Sequence, residues 1–94
     1  MGKYVYIRFV KLTKERDALG KEYFQNTWWP KHDEICKKHG VKLLKRGGVY
    51  GVPYHMAFIY ETDKPLDEYV EFIHDLDKIH KVRIIGLSET ITVF

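Results

Sequence analysis

Four stretches of this chain carry the two-residue alternation and the β-branched and aromatic content of strands, and two helical stretches separate them in a fixed order. That order, β-α-β-β-α-β, constrains the fold more than any other feature of the sequence. The first strand is "KYVYIRFVK", Lys3–Lys11, with Val5, Ile7 and Phe9 on one face and Tyr4, Tyr6 and Arg8 on the other. Thr13 offers a helix N-cap, and Glu15 and Asp17 place negative charge in the first turns. "CKKHG" ends that helix, with basic residues in its last turn and Gly40 available for a left-handed cap. "VKLLKR", Val41–Arg46, and "YHMAFIYE", Tyr54–Glu61, are strands two and three, joined by a glycine-rich hairpin long enough for a bulge or flap. Asp63 or Lys64 caps a second helix with Pro65 in its first turn, and Leu66, Tyr69, Val70, Ile73 and Leu76 repeat along it at helical spacing. Lys81–Phe94 is strand four, with a bend expected at Gly86.

This order gives an α+β, ferredoxin-like βαββαβ domain spanning residues 1–94, a four-stranded antiparallel sheet with both helices on one face. The other face should then be polar, yet every strand shows apolar or aromatic residues on both sides. A second sheet is the natural cover, which predicts a homodimer or higher homo-oligomer. At 94 residues a monomer buries only a modest core, and dimerisation adds to it.

The stretch "NTWWPKHDE" interrupts the first helix. Pro30 has no N–H for the carbonyl of Asn26, clashes with it, and disfavours the helical conformation at Trp29. The expectation is two helical pieces, Lys14 to about Asn26 and Trp28–His39, with Thr27 capping the restart. At about 100° per residue the second piece puts Trp28, His32, Ile35, Cys36 and His39 on one stripe, with Trp29 beside His32. His32 is then either a satisfied core histidine or the ionisable group of an aromatic-lined pocket.

Composition narrows the function classes. Lys and Arg number 16 against 13 Asp and Glu, interspersed, so the net charge of +3 comes with no basic tail or stripe and nucleic-acid binding is not demanded. The single cysteine, Cys36, excludes an intramolecular disulfide and fits a reducing compartment, so the expected location is cytoplasmic. "MGKYVYIRFV" lacks the continuous apolar core of a signal peptide, and the longest charge-free stretch, Gly47 to Tyr60, is too short and too interrupted to span a bilayer.

Trp28 followed four residues later by His32, on a helix of a short βαββαβ chain, resembles the EthD-like branch of the dimeric α/β-barrel superfamily, which also holds antibiotic biosynthesis monooxygenase-like and muconolactone isomerase-like proteins. "HGVKL" leading into strand two and an aromatic third strand followed by an acidic turn are similar as well, while Pro30 departs from the usual polar run. The resemblance implies that two sheets associate face to face into a barrel and that small molecules bind in each subunit between sheet and helices. It implies architecture more than chemistry, because members include monooxygenases, isomerases, cyclases and haem-degrading enzymes. By position His32 carries over as a pocket residue.

The expected site therefore has His32 as its candidate acid or base, and Trp28, Trp29, Tyr54, Phe9 and Phe58 as ligand-binding residues. Placing Phe9 and Phe58 on the helix face of their strands brings Tyr54 there and leaves Tyr6 and Arg8 on the barrel side, Arg8 in a structural role. His32, Cys36 and His39 at i, i+4 and i+7 are outweighed as a metal site by a core-facing stripe. His74 flanks the core, and strand one lacks the polar amide that the haem-degrading members use. No metal and no cofactor is expected.

Whether the protein is an enzyme stays open at this point. A cofactor-independent isomerase, cyclase or monooxygenase using His32, a structural or regulatory dimer without catalysis, and an RNA-recognition module of the same topology are the alternatives. The last is disfavoured, because "YHMAFIYE" lacks the glycines of the RNA-binding strand pattern. An acylphosphatase is excluded by the missing phosphate loop and catalytic asparagine.

Overall fold

The computed structural model describes residues 3–14, 20–79 and 85–93. Strand β1 (Tyr4–Leu12) leads to helix α1 (Gly20–Tyr23), a π-helical turn (Phe24–Trp28) and helix α2 (Trp29–His39). Strands β2 (Val41–Gly48) and β3 (Met56–Thr62), helix α3 (Leu66–Asp77) and strand β4 (Ile85–Val93) follow. Glu15 and Asp17, expected in the first helical turns, and the beginning of strand four from Lys81 lie outside the described residues, as does Phe94.

The four strands form one antiparallel sheet in the order β2-β3-β1-β4, the ferredoxin-like arrangement in which the first and third strands are central. Two irregularities shape it. An extra residue in β2 between Leu43 and Lys45 shifts the register against β3, and β4 shifts against the end of β1 where Leu87 pairs with Lys11 but Ile85 pairs with Leu12, so the expected bend at Gly86 is a bulge.

The interruption at Pro30 is not the break that was expected. Trp28 and Trp29 both have right-handed helical dihedrals, and no side chain caps the start of α2, so Thr27 does not act as a cap. The helix instead widens by one residue. The Trp29 N–H bonds the carbonyl of Phe24, an i to i−5 bond, and the wider turn gives the proline ring room against the preceding carbonyls. Downstream, α2 ends as anticipated: Gly40 takes φ 67° and its N–H reaches the carbonyls of Cys36 and Lys37.

Helix α3 starts one residue later than expected, with Pro65 as its extended N-cap residue. Buried Thr62 fixes that corner, donating from Oγ1 to the Gly40 carbonyl at 3.0 Å and accepting from the Lys64 N–H at 3.2 Å. The inward stripe of α3 is Tyr69, Phe72 and Leu76, while Leu66 and Val70 stay exposed. His39 at the end of α2 meets Asp75 of α3 at 2.6 Å and clasps the two helices together.

The faces of β1 are the reverse of the expected assignment, while Phe58 of β3 lies on the helix side as expected. Tyr6, Arg8 and Val10 of β1, with Phe58, Tyr60 and Thr62 of β3, are buried under the helices. Val5, Ile7 and Phe9, with Ala57 and Ile59, lie on the open face, where Ile91 and Val93 of β4 pair with Ile7 and Val5 and are about half exposed. Alternation could not choose between two apolar faces, but hydrogen bonding does. Under the helices the Tyr6 hydroxyl donates to the Lys64 carbonyl at 3.0 Å, its ring stacks on Tyr69 at 4.0 Å, and Arg8 reaches Asp77.

Candidate functional site

The space between α2 and the sheet holds an aromatic cluster centred on His32, whose side chain is fully buried. Trp28, the last residue of the π turn, stands four residues before His32, so helical spacing puts both rings on the same side of the helix. The Trp28 ring stacks on the imidazole at 5.2 Å and Trp29 meets it edge-on at 4.9 Å. From below, Phe58 and Tyr60 of β3 complete the enclosure at 6.5 and 5.9 Å. On the outer side, the Arg46 guanidinium lies 3.7 Å over the Trp29 ring, a cation–π contact at the rim.

Both imidazole nitrogens are engaged, and the partners fix the tautomer. Nδ1 lies 3.1 Å from the Asp33 carboxylate and Nε2 lies 3.0 Å from the Tyr60 hydroxyl. Burial outweighs the Asp33 hydrogen bond and holds the His32 pKa below the ordinary value, so the ring is neutral at neutral pH. An ionised carboxylate only accepts, so the single ring proton sits on Nδ1 and donates to Asp33. Nε2 then accepts from the Tyr60 O–H. Burial raises the Tyr60 pKa well above that of a free phenol, so the hydroxyl keeps its proton. The hydrogen-bonded chain Asp33–His32–Tyr60 thus runs from the surface to a buried phenol.

Cys36 packs beside the imidazole, its Sγ 3.7 Å from Nε2, and burial pushes its thiol pKa up to about 12. It is an inert thiol rather than a nucleophile. His39, on the same sequence stripe, is turned to Asp75.

Beyond Tyr60 the interior becomes more polar than the sequence suggested. Arg8 is 3% exposed; its Nη2 reaches Asp77 Oδ1 at 3.3 Å, and its Nε has no hydrogen-bond acceptor among the described residues. Trp28 Nε1 is likewise buried without an acceptor among them. Tyr69 Oη faces Thr90 without a hydrogen bond of ordinary geometry, and burial pushes its pKa up to about 12.

Of the expected site residues, the structure gathers His32, Trp28, Trp29 and Phe58 under the helices. It does not bring Phe9 and Tyr54 to them. Phe9 pairs with Ala57 and Glu89, its side chain on the open face, and Tyr54 packs on it at 5.8 Å while donating to Glu89 at 2.7 Å. Arg8, assigned to the barrel side, is instead inside the subunit beneath the helices. Tyr60 was missed, though strand alternation offers it: a side chain two residues after Phe58 shares its face.

No protein-family model and no curated protein sequence matches the chain. Solved structures do. Chlorite dismutase from Candidatus Nitrospira defluvii superposes with a TM-score of 0.72 at 18% identity, covering 97% of this chain and 39% of that one. A protein from Agrobacterium tumefaciens gives 0.59 at 16% identity, covering 97% and 91%. A protein of unknown function from Rhodopseudomonas palustris gives 0.61 at 16%, covering 98% and 81%. At such identities the likeness shows the fold alone: the chain has a ferredoxin-like α+β fold, which these solved structures share over nearly its whole length. It spans about two fifths of the chlorite dismutase chain. Among the described residues no helix is long and apolar enough to cross a membrane.

Proposed function

We propose that the protein is a homodimer, joined through the open faces of its sheets, that binds a small, largely aromatic molecule between sheet and helices in each subunit. His32 and Tyr60 form the proton-handling pair of that site, and Trp28, Trp29 and Phe58 its walls. One observation carries the reading: two buried N–H donors, Arg8 Nε and Trp28 Nε1, have no acceptor among the described residues. An unsatisfied buried donor costs about 1–3 kcal/mol, so a packed core rarely keeps two in one layer without a use for them. Both are donors, which suits a ligand carrying acceptor oxygens. A small-molecule complex of a protein with this fold, chlorite dismutase with imidazole, is in keeping with the reading. The dimer is supported by the apolar open face, whose Ile91 and Val93 are 50% and 45% exposed.

A second reading is favoured by the burial of His32 itself. With no exposed surface and both nitrogens bonded, it is what a satisfied core histidine looks like, and the protein would then be a dimer without a ligand. A panel of neutral and acidic monocyclic and bicyclic aromatics, titrated against intrinsic tryptophan fluorescence, separates the two. Saturable quenching supports the site. Linear, non-saturating responses across the whole panel support the filled core.

A further inference from the structure

Among the described residues, Arg8 is the one charge buried beneath the helices that the proton-handling chain does not use. It projects from the centre of the sheet, in register with Phe58 and two pairs from Tyr6 and Tyr60 on the same face. Its hydrogen bond to Asp77, at 3.3 Å, is long for a charge-assisted contact, and Asp77 is half exposed at the last residue of α3. The Nε–H lies on the same edge of the guanidinium as Nη2 and is unpaired among the described residues. That edge presents two parallel donors, the geometry that carboxylates match bidentately. A buried guanidinium with so loose a counterion is costly unless something else neutralises it. The described groups nearby do not: His32, Tyr60 and Tyr69 are neutral, Asp33 faces solvent beside His32, and Arg46 is a second cation.

We infer that Arg8 anchors an anion subsite, in which the carboxylate of an aromatic acid takes the Nε–Nη2 edge and Asp77 is the counterion it displaces. This rests on the proposed ligand site and narrows it to aromatic carboxylates, the ring lying toward the Trp28–His32–Phe58 side and the carboxylate toward α3. Asp77 at the helix end holds the guanidinium until the ligand arrives.

Benzoate and benzamide, equal in shape and different in charge, test this by tryptophan fluorescence or calorimetry at physiological ionic strength. Benzoate should bind saturably and benzamide about tenfold more weakly or worse. Asp77→Asn, a change at the exposed end of the contact that leaves the guanidinium in place, should tighten benzoate several-fold and leave benzamide unchanged. Benzamide binding as well as benzoate, or benzoate binding indifferent to Asp77→Asn, overturns the anion subsite while the aromatic site stands. Failure of both compounds, together with the whole neutral panel, removes the two proposals together.

Discussion

At the scale of residues, the site is a matter of which polar groups inside the subunit find partners. His32 does, and its satisfaction sets a pH dependence. Its pKa in the folded chain lies below the ordinary value, so as pH falls the unfolded chain takes up the proton first. The His32 contribution to stability is therefore complete above about pH 6.5 and declines as pH drops from there toward the lower folded pKa. Urea midpoints measured from about pH 7 to about pH 5 should fall, and His32→Gln should flatten that decline. Asp75 acts in a separate range. Its hydrogen bond from His39 holds its pKa below the carboxylate norm, so its contribution is present above that norm and lost only in stronger acid. Tyr60→Phe deletes the donor to Nε2 and leaves a buried acceptor unpaired, an expected loss of about 1–3 kcal/mol by denaturant unfolding. A cost near zero would mean that the His32–Tyr60 bond contributes little. From the sequence, Trp28, Trp29 and His32 were legible as a cluster because helical spacing alone brings them together. Tyr60 and Arg8 were not, because their roles depend on which side of the sheet the helices cover.

At the scale of elements, Pro30 shows how one residue is absorbed without breaking a helix. The proline is incompatible with a regular α-helix, but a capped restart and a widened turn are both remedies, and local sequence does not choose between them. The π turn changes the rotation of everything before it relative to α2 by about one residue, which sets where Phe24 stands against Trp28, while Trp28 and His32 meet at ordinary i, i+4 spacing. Pro30→Ala restores an N–H that can bond the Asn26 carbonyl, so the turn should relax toward α-helix and rotate Phe24 relative to the Trp28 ring it packs on. Near-UV circular dichroism should report the altered Phe24–Trp28 contact as a changed tryptophan signal. An unaltered spectrum would show that packing of the indoles, and not the proline, holds the π turn. The left-handed cap at Gly40 was legible because a glycine directly after a basic last turn can take positive φ without a Cβ clash and so satisfy the final carbonyls.

At the scale of the whole molecule, the sheet has two apolar faces and the helices cover one. The element order and the α+β class were legible, since strand and helix periods differ plainly and the order leaves few topologies. Which face the helices take was not, because Tyr4, Tyr6 and Arg8 look no more buried in sequence than Val5, Ile7 and Phe9. That choice for β1 moved Phe9 away from His32 and brought Arg8 beneath the helices, and Tyr54 is off the site because β3 begins only at Met56 and its alternation does not reach that residue. The open face carries the dimer proposal. Ile91→Lys, at a half-exposed position opposite Ile7, should convert a sedimenting dimer to monomer with little change in the far-UV spectrum. A wild-type protein that sediments as a monomer at micromolar concentration would remove the dimer from the account. The central claim, that the layer between sheet and helices receives a ligand, is tested most directly at the unpaired Trp28 indole. In a ¹⁵N-labelled sample titrated with benzoate, the Trp28 Nε1–H resonance should shift saturably, and more than that of Trp29, which sits at the rim under Arg46. Two indole resonances that stay in place through millimolar benzoate and the neutral aromatics would contradict it.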